Sequence, residues 1–267
     1  MISNINYVKK ILGDLKAKKK FGQNFLIDEN VVDKIARIAC DERYKTIEIG
    51  PGLGALTEKL LIYSNSVDAY EIDKDMFERL SSSIDDERLN IYLQDFLDTD
   101  LSIYTDKVNI CGNLPYYVTT PILFKIIESD LDINKITIMV QKEVGDRIVS
   151  KANDEEYGAL SVEIQYLYDV KMEMNVSRSV FYPSPNVDSV IISLTPNRKI
   201  DKDIEKGFFE FVKNCFRMRR KTLYNNLKDI YVQEKIENMY LVLNIDKNIR
   251  AQQLPLNEFI NIYRILV

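Results

Sequence analysis

The chain of 267 residues contains no histidine. Without an imidazole, Ser-His-Asp and Cys-His nucleophilic schemes are excluded, and so are His-ligated metals. Cysteine is scarce: Cys40, Cys111 and Cys215 are odd in number and far apart. They cannot supply the four thiolates of an all-cysteine zinc site, so no metal is expected. Their scatter favours reduced thiols in a cytoplasmic protein over a disulfide framework. No apolar run approaches the roughly 18–20 residues of a membrane helix, so no membrane partner is expected. Residues 1–20 alternate apolar and basic side chains without the apolar core of a secretory signal. Cations are outnumbered, 36 Lys and Arg against 41 Asp and Glu, a formal charge of −5. That balance argues against an indiscriminate nucleic-acid coat, though not against a local basic patch. Chemistry without an imidazole points to a cofactor that carries the reactive group.

What is present is an ordinary globular composition, 46% hydrophobic and 29% charged, which excludes disordered and fibrous classes. The length predicts one large domain or a large one with a small one. Short β-branched runs alternate with amphipathic stretches through residue 195, an α/β signature. Strands are predicted at Thr46–Gly50, Val67–Glu71, Asn90–Leu93, Val108–Cys111, Ile136–Gln141 and Val187–Leu194. A further one spans Val170 to Val176, where apolar residues alternate at period two. Helices are predicted at Leu53–Tyr63, after Asp73, and at Leu160–Tyr168. Two consecutive strands without an intervening helix suggest an antiparallel pair closing one edge of an otherwise parallel sheet. After residue 195 only helical periodicity remains. The division is therefore 1–195, an α/β domain with a basic N-terminal segment 1–20, and 196–267, a small all-α domain.

Glu48-Ile49-Gly50-Pro51-Gly52-Leu53-Gly54-Ala55 falls where a first strand turns into a first helix. Glycines there allow close approach of a ligand to the backbone, and the helix N-terminus offers free N–H groups. About twenty residues on, Glu71 ends the second strand, where a carboxylate accepts both ribose hydroxyls. Read as Gly50-x-Gly52-x-x-Ala55, the loop also passes a looser dinucleotide fingerprint, so NAD stays open, as does a bare glycine turn. Two features favour S-adenosyl-L-methionine: the acid before the first glycine, and Gln94-Asp95-Phe96 after the third strand. Asp95 there can accept from an adenine amine and an aromatic can stack on the ring, although Asp95 is equally a helix cap.

Asn113-Leu114-Pro115-Tyr116 follows the fourth strand and resembles the Asn/Asp/Ser-Pro-Pro-Tyr/Phe motif of amino-group methyltransferases. An exocyclic adenine amine is a poor nucleophile because its lone pair is delocalised. The Asn side-chain oxygen and the Leu114 carbonyl can accept from that NH2, aim its lone pair and stabilise the positive charge that develops. Pro115 fixes the turn and Tyr116 offers a stacking face. No general base is required. The plain alternative is an Asn that caps the helix at Thr119–Pro121 and a tyrosine packed in the core.

Together these segments resemble the ribosomal RNA adenine dimethyltransferase family, of the KsgA type. Other matching stretches are Lys20–Asp28, Tyr70–Asp73, Val140–Val144, Tyr157–Val162, Phe181–Ser189 and Phe216–Leu227. The resemblance implies a seven-stranded Rossmann-like methyltransferase sheet with a small helical C-terminal domain. It also implies N6,N6-dimethylation of two adjacent adenines in the 3′-terminal hairpin of small-subunit (16S) rRNA. The implied cofactor set is Gln23, Asn24, Leu26, Gly50, Gly52, Glu71, Ile72, Asp95, Phe96 and Asn113. The implied catalytic set is Asn113, Leu114, Pro115, Tyr116 and Phe181. Phe181 would stack on the adenine face opposite Tyr116, as suits a flipped-out base, or else anchor the Pro-rich turn as a core residue.

The macrolide-resistance (Erm) enzymes share the N-terminal motifs but act on large-subunit rRNA; Arg219–Leu223 and Asn225–Leu227 resemble the KsgA branch. Lys213, Arg217, Arg219, Arg220, Lys221 and Lys228 form a stretch free of acids and are the candidate RNA contacts. If helical, most of them share one face, with Phe208, Val212, Phe216, Leu223 and Leu227 turned to a core. A solvated face is the plain reading of such a run. Lys16, Lys18, Lys19 and Lys20 form a second basic run. The acidic net charge suggests that recognition uses small-subunit rRNA within an immature small subunit. An enzyme that must bind such a particle and leave is expected to have a late role in its biogenesis, and nothing suggests more than a monomer. A non-catalytic assembly factor, an Erm-type enzyme and an NAD-linked dehydrogenase are the other readings. The intact Asn113–Tyr116, Glu71 and Asp95 favour retained catalysis, and no residue suits a dehydrogenase proton relay.

Overall fold

In the computed structural model, residues 5–14, 23–114, 118–197 and 202–267 are described. The expected strands are all present: β2 (Lys45–Ile49), β3 (Val67–Glu71), β4 (Leu89–Leu93), β5 (Val108–Asn113), β6 (Ile133–Gln141), β7 (Tyr168–Val176) and β9 (Ser189–Pro196). They form one sheet in the order β4-β3-β2-β5-β6-β9-β7. The first five pair in parallel, as in Thr46↔Val67 and Lys45↔Val108. β9 runs antiparallel to β6, with Ile138 opposite Ile192, and β7 bonds outside it to close that edge. Consecutive side chains are buried along β3, the first five residues of β5 and the first six of β9, so both faces of the sheet are covered there, and the apolar ones read as continuous runs.

From β2 the chain builds outward to β3 and β4, then crosses back to lay β5 on the other side of β2. Such a reversal of strand order opens a crevice beyond the carboxyl ends of the strands, where ligands of Rossmann-like sheets bind. The helices α1 (Ile5–Asp14), α2 (Glu29–Ala39), α3 (Ala55–Tyr63), α4 (Lys74–Ser83), α5 (Thr119–Glu128) and α6 (Lys142–Val149) flank it in sequence. Asp28 starts α2 and Asp73 starts α4; each carboxylate accepts backbone N–H groups of the first turn. A second sheet went unread in the sequence. β1 (Phe25–Leu26) pairs antiparallel with β8 (Phe181–Tyr182), and two-residue strands carry no periodicity to detect.

The chain has two compact units, Met1–Gly145 with Lys171–Pro196, and Asp146–Val170 with Asn197–Val267. This differs from a single division after residue 195. The helix α7 (Ala159–Leu167), expected within the first domain, packs among α8 (Lys202–Cys215), α9 (Leu223–Leu227), α10 (Gln233–Leu243) and α11 (Leu256–Leu266). The reason is the aromatic content of that segment. Tyr166 stacks on Phe208 with ring centroids 4.5 Å apart, and the Tyr157 hydroxyl donates to the Leu254 carbonyl at 3.0 Å. Phe208 also meets Tyr263 edge-on at 5.6 Å and is almost wholly buried. Replacing Phe208 by Ala leaves a ring-sized void there, and cavities of that kind cost about 3–5 kcal/mol. The urea midpoint of Phe208→Ala is therefore expected to fall sharply; an unchanged midpoint would show that Phe208 is not central to this core.

Candidate active site

β2 delivers the chain into the Gly50–Gly54 loop, where all three glycines adopt left-handed backbone, with φ of 70°, 57° and 90°. Only glycine takes that path without strain. At Gly52 there is a second reason: a β-carbon would stand 3.1 Å from the Phe25 ring. Beside the loop, Glu71 accepts from Gly52 N at 2.9 Å through Oε2 and from Asp73 N at 2.8 Å through Oε1. Burial pushes the Glu71 carboxyl above its ordinary range, and these N–H groups pull it back. Glu48, two residues before Gly50, is more deeply buried. Burial pushes its carboxyl up to about 8; the Thr57 hydroxyl, donating at 2.6 Å, opposes this and the Glu71 charge reinforces it.

At the end of β4, Asp95 caps a short 3-10 helix, Phe96–Asp98, by accepting Leu97 N at 2.9 Å. The capping reading is thus realised, and the same residue also lines the cavity. The loop is held from the side by α5, whose Lys125 ammonium donates to the Leu97 carbonyl at 2.8 Å. Phe96 is buried edge-on against Tyr70, 5.6 Å between centroids.

β5 ends at Asn113. Gly112 before it has no room for a side chain, since a β-carbon would lie 2.7 Å from the Ile49 carbonyl of β2. The Asn113 amide donates through Nδ2 to the Asn24 carbonyl at 3.1 Å. A carbonyl can only accept, so this contact fixes the amide and turns Oδ1 away from Asn24 as an acceptor. The amide is engaged with the N-terminal segment and not with the first turn of α5, whose N-cap is Val118. That segment is itself tied down: Gln23 donates to Asp73 Oδ2 at 2.8 Å, and Ile27 N bonds to the Val180 carbonyl at 2.9 Å.

All ten residues of the expected cofactor set line one cavity: Gln23, Asn24, Leu26, Gly50, Gly52, Glu71, Ile72, Asp95, Phe96 and Asn113. Glu48, Phe25, Tyr70, Leu114 and Val118 join them. Asp73 was missed as an organiser, although it stands in the quoted Tyr70–Asp73 stretch. Of the catalytic set, Asn113 and Leu114 are at the cavity, and Pro115 and Tyr116 lie outside the described residues. Phe181 is not on the cavity wall. It pairs with Leu26 and is buried with Val32, Met139 and Ile191, because the β1–β8 ladder turns that position into the core. The core alternative for Phe181 is the one this structure adopts.

The basic stretch departs from a single helix. α8 stops at Cys215, turns follow, and α9 begins after Thr222. Phe208, Val212, Leu223 and Leu227 are buried as expected and Phe216 packs against them. Buried Asn226 clamps the intervening turn, accepting Met218 N at 3.0 Å and donating to the Met218 carbonyl at 3.3 Å. Lys213, Arg217, Arg219, Arg220, Lys221 and Lys228 are all exposed. Acids from outside the stretch do reach it: Glu163 lies 4.0 Å from Lys213 and Asp229 lies 3.6 Å from Arg217. Arg219 donates to the Glu155 carbonyl at 2.6 Å. The Lys16–Lys20 run lies outside the described residues. Among the described residues no group of three or more Cys, Asp or Glu could hold a metal ion, and no helix is long and apolar enough to cross a membrane.

The model of the family described as ribosomal RNA adenine dimethylase matches residues 14–267. A ribosomal RNA small subunit methyltransferase A of Mycoplasma mobile is 44% identical over 250 residues, covering 93% of this chain and 96% of its own. A protein of the same name from Francisella tularensis subsp. novicida is 44% identical over 260 residues, 94% and 98% of the two chains. Among solved structures, a dimethyladenosine transferase from Plasmodium falciparum shares the fold with a TM-score of 0.76 at 24% identity, over 89% of this chain and 95% of that one. The 23S rRNA methyltransferase ErmE does so at 0.71 and 23%, over 91% and 99%. At such identities these two speak to the fold alone, whereas the family match and the curated relatives span nearly the whole chain. The chain belongs to the ribosomal RNA adenine dimethylase family.

Proposed function

We propose that this chain dimethylates N6 of two adjacent adenines in the 3′-terminal hairpin of small-subunit rRNA, using S-adenosyl-L-methionine. The observation that carries the reading is the Asn113 amide, anchored by Asn24 so that Oδ1 is an acceptor at the cavity that Glu71 and Asp95 line. The cavity fits the cofactor in kind. Gly52 leaves room for close backbone approach, the Glu71 carboxylate ends β3 where ribose hydroxyls need acceptors, and Asp95 has Oδ2 left for an adenine amine. Asn24 and Leu26 would meet its amino-acid end. When bound, S-adenosyl-L-methionine supplies an electrophilic methyl group.

The chain's own part is to bind and orient the amine. Asn113 Oδ1 and the Leu114 carbonyl accept its two N–H groups, which turns the lone pair toward the methyl donor and stabilises charge developing on nitrogen. The cationic nitrogen is acidic enough to release a proton to water, consistent with a chain that has no histidine. Tyr116 would stack on the base. Stacking by Phe181 would require its ring to leave the core it now fills. The exposed cations between Lys213 and Lys228 would take phosphate contacts in an immature subunit. We read the enzyme as a cytoplasmic monomer that also serves late subunit biogenesis.

The direct test is methyl transfer from labelled cofactor to small subunits lacking the modification, with mature small subunits and large subunits as controls. N6,N6-dimethyladenosine confined to the unmodified small subunits is expected. Label in large subunits would favour an Erm-type target, and none anywhere, with cofactor bound, an assembly factor. In Asn113→Ala, kcat is expected to drop by at least about 100-fold, as for loss of a transition-state hydrogen bond, with cofactor affinity little changed. Full activity would sink the role given to Asn113. Gly52→Val forces a β-branched residue to positive φ against Phe25, and is expected to abolish S-adenosylhomocysteine binding in calorimetry; retained affinity would place the cofactor elsewhere.

The Glu48 carboxyl generates a pH dependence. Its affinity for a proton is higher folded than unfolded, so the folded chain holds more protons between pH 4.5 and about 8. Stability must fall as pH rises through that window, at up to about 1.4 kcal/mol per pH unit for one proton. Glu48→Gln is expected to flatten the slope of urea-derived stability against pH. An unchanged slope would show that Glu48 titrates normally.

A further inference from the structure

One face of the sheet below the cavity carries a polar network that the reaction does not use. Asp68 and Tyr70 lie two apart on β3 and share a face, opposite Asn90 and Tyr92 of β4. Asp68 is buried, and its carboxylate accepts from Lys45 Nζ at 3.1 and 2.9 Å, from Asn90 Nδ2 at 2.8 Å and from the Tyr104 hydroxyl at 3.0 Å. The Tyr104 hydroxyl is also 2.6 Å from that of Tyr70. A phenol has one proton, and Tyr104 gives its proton to Asp68. The Tyr70 hydroxyl must then donate to Tyr104, which makes a directed relay Tyr70 to Tyr104 to Asp68. The Lys45 ammonium stands over the Tyr104 ring, 5.8 Å from its centroid. Burial and the neighbouring Asp68 charge hold the Tyr104 proton well above the ordinary phenol range, so Tyr104 stays a donor to Asp68 at working pH.

The relay ends at the cavity. Tyr70 is stacked on Tyr92 at 4.9 Å and meets Phe96 edge-on, and both Tyr70 and Phe96 line the wall near Asp95. A stacked ring free to slide on Tyr92 would let Phe96 move with it; the tethered hydroxyl removes that freedom. We propose that Tyr104 and Asp68 are positioning residues for the adenine end of the cofactor, fixing Phe96 and the Asp95 loop through Tyr70. The inference rests on the cofactor reading given above. Neither Tyr104 nor Asp68 lines the cavity, and both act only through Tyr70.

The test is calorimetric titration of two ligands, S-adenosylhomocysteine and S-inosylhomocysteine, whose base carries an oxo group where adenine has its amine. Wild-type chain, Tyr104→Phe, Tyr70→Phe and the double variant are compared; each substitution removes a hydroxyl and keeps the ring. Loss of one such hydrogen bond is expected to weaken S-adenosylhomocysteine binding roughly fivefold in Tyr104→Phe. The preference for the adenine over the hypoxanthine ligand is expected to narrow, and KM for the cofactor to rise while kcat holds. The double variant is expected to match the single ones, because both substitutions cut the same relay. Unchanged affinity and preference alongside a lowered urea midpoint would overturn the proposal, leaving the network as a brace for the sheet. Additive losses would overturn it too, since the two hydroxyls would then act separately. Failure of the wild-type chain to bind S-adenosylhomocysteine would be a different result, overturning the cofactor reading itself.

Discussion

Two backbone N–H groups, from Gly52 and Asp73, converge on the Glu71 carboxylate, and the rest of the site is arranged around that convergence. The first belongs to the loop leaving β2, the second to the turn leaving β3, so one side chain ties two strand ends to a common geometry. Asp73 extends the tie. Its carboxylate starts α4 and takes the Gln23 amide, which brings the N-terminal segment over the cavity. Asn24 of that segment then anchors Asn113. The orientation of the amide proposed to receive the reacting amine is thus set by contacts from three separate stretches of chain, in line with the need to hold such a group within a fraction of an ångström.

A carboxylate placed so deep brings a second constraint. Among the described residues, no cation is bonded to the carboxylate of Glu48 or of Glu71, and both face one cavity. Two like charges in a low-dielectric space cannot both be cheap. The structure resolves the conflict by unequal treatment. Glu71 receives two N–H groups, which favour its charged form. Glu48 receives one hydroxyl and is raised to about 8, so that it is mostly protonated at neutral pH. The carboxylate whose charged form is better supported by hydrogen bonds is the one at the strand end, where hydroxyl donors of a ligand would arrive.

Legibility in the sequence followed the range of the interaction. Strands that are buried on both faces, such as Val67–Glu71, were read to the residue because burial imposes composition locally. Seven of the ten cavity residues lie in motifs at the ends of β2 to β5, which the topology brings to one crevice, whereas Gln23, Asn24 and Leu26 of the N-terminal segment were reached only through the family resemblance. The Gln23–Asp73 and Asn113–Asn24 bonds were not legible: they join residues 50 and 89 positions apart, and nothing local marks either partner. Phe181 shows a different limit. An aromatic beside a Pro-rich turn has the same signature whether it faces a ligand or a core. The two-residue ladder with Leu26 decides between them here, and it has no periodicity to betray it. The helical condition placed on the basic stretch is met only in part, because its apolar spacing fits a helix on both sides of the turn; the break lies in the Asn226 clamp on Met218, a contact eight residues long.

That break has a consequence for how charge is displayed. On a continuous helix, cations at helical spacing would point along one stripe and repel one another at each turn. A clamped turn between α8 and α9 instead projects Arg217 through Lys221 in sequence from a fixed backbone, with Arg219 directed by the Glu155 carbonyl and Arg217 by Asp229. A partly neutralised, pre-oriented group of this kind would have less conformational entropy to lose on meeting phosphates than four free cationic side chains. Its net attraction is also smaller, in keeping with a chain of charge −5. On the proposal that this stretch meets rRNA, shape and position would contribute more to recognition than bulk charge, as suits an enzyme that must leave its RNA after modifying it.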